Sequence, residues 1–255
     1  MQRPRTHIAT STADTITVRD RDLITELVGE ISFTEMVYFQ LLGDMPTTEQ
    51  VGILDAVMVC LMEHGLTPSS ITSRLIYSSA PEAMQAAVAG GLLGAGSVFL
   101  GSMEGAARLL QEGVALLRDD GSAEEYCREV VAEHRAARRP MPGFGHHIHR
   151  PDDPRSLRLL TVAQDLGTSG DHAELLRQFA AEVDRQAGKH VTINATGATA
   201  AVLSDVGIPW HVVRGFALIA RCAGLVGHLA EERDIPVTRA IWEAADEAVP
   251  YETKP

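Results

Sequence analysis

Between Val51 and Met62 the apolar residues Val51, Leu54, Val57, Met58, Leu61 and Met62 recur three and four positions apart, and Gly65 and Pro68 then break the pattern. That spacing puts them on one face of a helix. The same period predicts helices over 105–117, 124–138, 154–166, 172–186, 210–232 and 238–248, whereas only 14–18 and 191–194 read as extended. Ser32/Glu35, Thr47/Gln50, Ser79/Glu82 and Ser122/Glu125 have the spacing of capping boxes, in which each partner satisfies an orphan backbone N–H of the other. No repeat or low-complexity segment interrupts the series. The pattern predicts an all-α fold.

The stretch 83–101 is nearly free of charge and dense in alanine and glycine. Small residues let helix backbones approach closely, so it reads as a tightly packed central or interface helix. Glu82 and Glu104 bracket it at near-spanning length, which suits a membrane helix, but the amphipathic helices around it argue for a soluble setting.

With 255 residues, 45% of them hydrophobic, the chain can build one large core or two apposed helical domains. Cys60, Cys127 and Cys222 are far apart and read as small buried hydrophobes, the pattern of a reducing compartment. Residues 1–14 are polar and no stretch reaches about 18 uninterrupted apolar residues, so a cytoplasmic protein is expected. A net charge of -12 argues against nucleic acid or an anionic membrane as partner. Against that background Arg128, Arg135, Arg138, Arg139, Arg150, Arg155 and Arg158 form a local cluster. A solvated helix face would carry the same charges. Here Pro140, Pro142, Gly143, Gly145, Pro151 and Pro154 interrupt the run, and arginines around a rigid loop suit phosphates or carboxylates.

Three histidine-bearing segments carry the candidate chemistry: Glu63-His64-Gly65, Pro142-Gly143-Phe144-Gly145-His146-His147-Ile148-His149-Arg150, and Arg221 with His228, Glu231 and Glu232. Asp152 and Asp153 near the second segment invite a metal, but neither helical HxxxH spacing nor a cysteine partner supports one, and none is expected. His134, His172 and His211 read as structural. Arg221 lies in an apolar helical stretch, so it should be paired or face a ligand. Phosphate-loop, dinucleotide and nucleophile-elbow motifs are missing.

Gly143-Phe144-Gly145-His146 followed by Asp153-Pro154-Arg155 resembles the GfGH...DPR signature of citrate synthases. Glu63-His64-Gly65 resembles the first histidine motif of that superfamily, Asn194-Ala195-Thr196-Gly197 its NVDG segment, and Arg221 through Gly224, His228 and Glu231 its C-terminal helix. The likeness runs from about residue 15 to the C-terminus and implies a large helical domain (1–104 and 198–255), a small one (105–197) and a cleft between them. It further implies that His146 hydrogen-bonds the oxygen on the carbon where the bond forms or breaks. His64, Arg155 and Arg221 would hold substrate carboxylates, Arg150 would reach a coenzyme A phosphate, and Gly143, Phe144, Gly145, Arg138 and Arg139 would complete the coenzyme site. Cleaving a carbon–carbon bond β to a thioester needs the hydroxyl deprotonated, which suits imidazole, and the carboxylates fixed, which suits arginine forks.

Two positions depart from the synthase pattern. Phe99 stands where synthases have a histidine that donates to the thioester oxygen, a change shared with the short citryl-CoA lyase branch. Thr196 stands where both branches have the aspartate that exchanges the acetyl proton, and a hydroxyl is a poor base. The resemblance therefore implies a lyase that cleaves a 3-hydroxy-3-carboxyacyl-CoA, citryl-CoA by default, to an acyl-CoA and a 2-oxo acid. A divergent citrate or methylcitrate synthase and a non-catalytic paralogue binding coenzyme A or a tricarboxylate are the alternatives. A homodimer or higher homo-oligomer is expected.

Overall fold

The computed structural model describes residues 3–98 and 100–253. Strands β1 (Ala9–Ser11), β2 (Ile16–Val18) and β3 (Arg21–Asp22) form an antiparallel meander in which Thr10 pairs with Thr17 and Val18 with Arg21. One π-helical turn, Leu23–Leu27, leads from it into α1 (Phe33–Leu42), and Val18, Leu27 and Phe39 form a small core beneath. The rest is helical: α2 (Thr48–Met62), α3 (Pro68–Ser79), α4 (Met84–Leu93), α5 (Gly101–Arg118), α6 (Ala123–Ala136), α7 (Pro154–Asp165), α8 (Asp171–Ala187), α9 (Ala195–Asp205), α10 (Val213–Asp234) and α11 (Thr238–Ala248).

The boxes at Ser32/Glu35 and Thr47/Gln50 form reciprocally and start α1 and α2. Ser122 caps α6 by accepting from the Glu125 N–H. Ser79 does not open a helix: it is the last residue of α3, and α4 begins only at Met84. Pro68 ends the pattern of α2 but also starts α3, as its missing N–H and fixed φ suit the first helical turn. The glycine-rich helix is shorter than expected and stops at Leu93, where Gly94 and Gly96 lower helix propensity. Within it Gly91 is required by packing, because a Cβ there would stand 2.9 Å from the Ser69 carbonyl oxygen on α3.

A single large core joins α2, α5, α7, α8, α9 and α10. α10 packs on α2, α3, α4 and α5, and α9 on α5, α7 and α8. By length and composition α10 could cross a membrane, yet it carries buried Arg221 and Glu232 and reads as a core helix. Gly224 sets its position, since a Cβ would lie 2.2 Å from the Met62 carbonyl oxygen at the end of α2. That approach brings Arg221 to the segment after α2, where His64 lies.

Candidate active site

A cavity of about 880 Å³ opens among these helix ends. Cys60, Leu61, His64, residues 94–95 and 100–102, and Arg221 line one part of it, and residues 140–148, Arg155 and 194–196 another. Histidine and arginine from four separate segments thus converge on one space.

The loop before His146 is strapped to the chain ahead of α9. Gly145 N–H donates to the Thr192 carbonyl, Asn194 N–H to the Gly143 carbonyl, and Asn194 Nδ2 to the Gly145 carbonyl. Gly143 and Gly145 have φ of 85° and 77°, the left-handed region that favours glycine. Asp153, fully buried, joins the remaining parts. It caps α7, and its carboxylate accepts from Arg155 N–H, Nε and Nη2 and from Ala195 N–H. Burial alone would raise its pKa, but the Arg155 bonds outweigh burial and hold it below the usual carboxylate range.

These contacts fix two tautomers. His146 Nδ1 accepts from the N–H groups of Ile148 (3.1 Å) and His149 (3.0 Å), so the neutral ring carries its proton on Nε2. Arg155 Nη1, which can only donate, lies 3.3 Å from His64 Nδ1, so His64 also carries its proton on Nε2. Burial, then the charge of Arg155, lowers the pKa of His64; burial, then His149, lowers that of His146. Both rings are neutral donors near pH 7. His146 Nε2 and Arg155 Nη2 face each other at 3.3 Å, donor to donor, and an oxygen beside both would accept from the two at once. Among the described residues, His64 Nε2 and Arg221 Nη1 are buried without a hydrogen-bond partner. Such orphans are costly unless a ligand satisfies them.

Arg221, 8% exposed, has Glu63 as its nearest carboxylate, 3.5 Å from Nη1. His228 holds the same carboxylate at 2.8 and 2.9 Å, and Arg74 Nε donates to His228 Nδ1. Arg74, buried on α3, is also ion-paired with Glu231 and Glu232. The sequence pattern singled out His228, Glu231 and Glu232 but not Arg74, whose signal would have been one arginine on the serine-rich face of α3.

The family model for the citrate synthase C-terminal domain matches residues 7–241. The chain belongs to the citrate synthase family. It is 33% identical to citryl-CoA lyase from Hydrogenobacter thermophilus, with a TM-score of 0.86 over 100% of this chain and 96% of that one. ATP citrate lyase from Methanothrix soehngenii, solved with citrate and coenzyme A, is 19% identical with a TM-score of 0.79, covering 100% of this chain and 43% of that chain, a likeness of fold alone. Among curated proteins, 2-methylcitrate synthase of Shewanella oneidensis is 25% identical over 193 residues, 75% of this chain and 49% of its own length. The chain spans about half the length of the curated relatives it matches.

At the family's aspartate position, Thr196 is the second residue of α9 and half-buried. Its hydroxyl donates to Asn194 Oδ1 at 2.6 Å and lies 3.0 Å from Ser102 Oγ. That chain of hydroxyls holds no ionised base. Phe99 lies outside the described residues. Gly143, Phe144 and Gly145 line the cavity; Arg138, Arg139 and Arg150 are exposed and do not, and Arg139 pairs with Glu133.

His149, named in the histidine segment but given no role of its own by the sequence, stacks on His146 with ring centroids 4.4 Å apart, and its Nε2 is buried without a partner among the described residues. One nitrogen from each of His64, His146 and His149 lies within 4.8 Å of the others, a spacing that could hold a metal. The surroundings suit an anion better. Arg155 stands 3.3 Å from two of the three rings and would repel a cation, and the Nε2 protons assigned to His64 and His146 leave those nitrogens as donors, which suit an oxygen of an anion and not a metal.

Proposed function

We propose that the protein is a carbon–carbon lyase cleaving a 3-hydroxy-3-carboxyacyl-CoA, citryl-CoA by default, to an acyl-CoA and a 2-oxo acid. The observation that carries this reading is the group of N–H donors on His64, His146, Arg155 and Arg221, neutral imidazoles and guanidinium groups lining one space, with His64 Nε2 and Arg221 Nη1 left without a partner among the described residues. Carboxylates satisfy such guanidinium groups, and His146 Nε2–H suits the oxygen on the carbon that becomes the 2-oxo acid carbonyl. With Nδ1 of His146 occupied by backbone N–H groups, His146 donates and does not take the hydroxyl proton. His149, beside it and, among the described residues, with no side-chain hydrogen bond to fix its tautomer, is the group we assign to that proton. The carbon–carbon bond then breaks toward the thioester, and the enolate left there takes a proton from water to give the acyl-CoA. The full-length likeness to a citryl-CoA lyase supports the same direction.

A second reading, a paralogue that binds coenzyme A esters or tricarboxylates without turnover, draws support from Thr196, which offers no acid or base to the carbon of the leaving enolate. Purified protein should release acetyl-CoA and oxaloacetate from citryl-CoA, and His149→Phe should lower turnover by about a hundredfold. Saturable citryl-CoA binding without cleavage would select the binding paralogue. Condensation of acetyl-CoA with oxaloacetate and no cleavage of citryl-CoA would select a synthase.

A further inference from the structure

Arg221, Gly224 and His228 share one face of α10, three and four residues apart, and Gly224 seats that face against the end of α2. Glu63, the first residue past α2, therefore sits between the arginine and the histidine. Its carboxylate is not shared equally. Both oxygens lie within 2.9 Å of His228 Nε2, while the closer approach to Arg221 is 3.5 Å and leaves Nη1 unbonded. The histidine can only donate there, because Arg74 Nε donates to its other nitrogen at 2.9 Å. Arg74 is itself held between Glu231 and Glu232, so the direction of His228 is set from the core.

We propose that His228 is a positioning residue that withholds Glu63 from Arg221 and so keeps the guanidinium open for a carboxylate of the substrate. This rests on the reading that Arg221 binds such a carboxylate. Glu63 is a resident competitor for that place. About half exposed, it can swing by the few tenths of an ångström that separate 3.5 Å from a charge-assisted hydrogen bond. Without His228 it pairs with Arg221 and must be displaced by every incoming substrate. The specificity of the site for the acid half then depends on a residue that touches no substrate.

Citrate is the probe, titrated by calorimetry into the full-length protein, with circular dichroism and melting curves as controls of folding. His228→Leu should weaken citrate binding by roughly tenfold, and kinetically raise KM with kcat retained. His228→Gln, which keeps a donor toward Glu63, should stay within about threefold of the parent. The double variant Glu63→Gln/His228→Leu should regain most of the lost affinity, because the competitor no longer carries a charge. Loss in His228→Leu that the second substitution fails to restore would assign the effect to general disorder of α10 and overturn the proposal. Unchanged affinity in His228→Leu would overturn it as well. If the parent protein binds no citrate, the reading of Arg221 fails first and takes this one with it.

Discussion

Gly143 and Gly197 touch backbone to backbone: a Cβ on Gly197 would stand 2.4 Å from the Gly143 carbonyl oxygen, and one on Gly143 would stand 2.8 Å from the Gly197 Cα. No rotamer relieves a clash between Cβ and main chain. The loop that carries His146 and the helix that carries Thr196 are therefore packed main chain against main chain. Gly197→Ala should destabilise the protein by about 1–3 kcal/mol and lower its melting temperature by roughly 3–10 °C. A melting curve within 1 °C or so of the parent would show that the two backbones can part at little cost.

Thr196→Asp should restore a base at the start of α9. Proton exchange at the methyl of acetyl-CoA, followed by deuterium incorporation in the presence of a 2-oxo acid, should rise by about a hundredfold. Without exchange in a variant that still binds both ligands, residue 196 would not face the thioester.

Arg150 is exposed, next to the histidine loop but outside the cavity lining. If it meets a coenzyme A phosphate, Arg150→Ala should weaken coenzyme A ester binding by roughly threefold to tenfold and flatten its dependence on salt. Calorimetry at two ionic strengths reads both effects, and unchanged affinity would remove Arg150 from the coenzyme site.

His190 binds Asp184 through Nδ1 and Asp152 through Nε2, which requires both ring nitrogens protonated, and the Asp184 and then the Asp152 bond raise its pKa. A raised histidine contributes stability below its unfolded pKa near 6.5, and that contribution is lost as pH rises through the higher folded value. His190→Gln should thus melt about 1–3 °C below the parent at pH 5.5, and the gap should close by pH 8.5. A gap that stays constant across that range would mean that the charge of His190 does not matter.

One side of α4 presents Ala86, Ala89 and Leu93 to solvent, with exposed Val98 just beyond, while Ala87 and Gly91 face the protein. An apolar stripe of this kind is expected to be covered by a second copy, and light scattering at micromolar concentration should give about twice the monomer mass. A monomeric mass would leave that face bare.

Much of this was legible in the sequence because it is local. Helical periods located α2, α5 through α8, α10 and α11, and the flanking glycines and prolines marked the loop of His146. The single candidates His64, His146, Arg155 and Arg221 were found by motif, and they do line one cavity. What the sequence did not give was set by long-range packing. α9 escaped notice because its small residues, buried on nearly every side, have no amphipathic period. Arg74 has no local signature and matters because it reaches His228, 154 residues away, while the place of His149 within the histidine segment did not show that its ring stacks on His146. The part of a histidine as donor or acceptor was equally hidden, since backbone N–H groups decide it for His146.

Each arginine at the base of the cleft already has a carboxylate nearby, Asp153 hydrogen-bonded to Arg155 and Glu63 held by His228 at 3.5 Å from Arg221. The field there is close to balanced before any ligand arrives, although the N–H groups still point inward. Recognition of the acid half must then come from the directions of those bonds more than from attraction over distance. Its affinity should change little with ionic strength, and the site should reject simple inorganic anions that carry enough charge but place their oxygens wrongly.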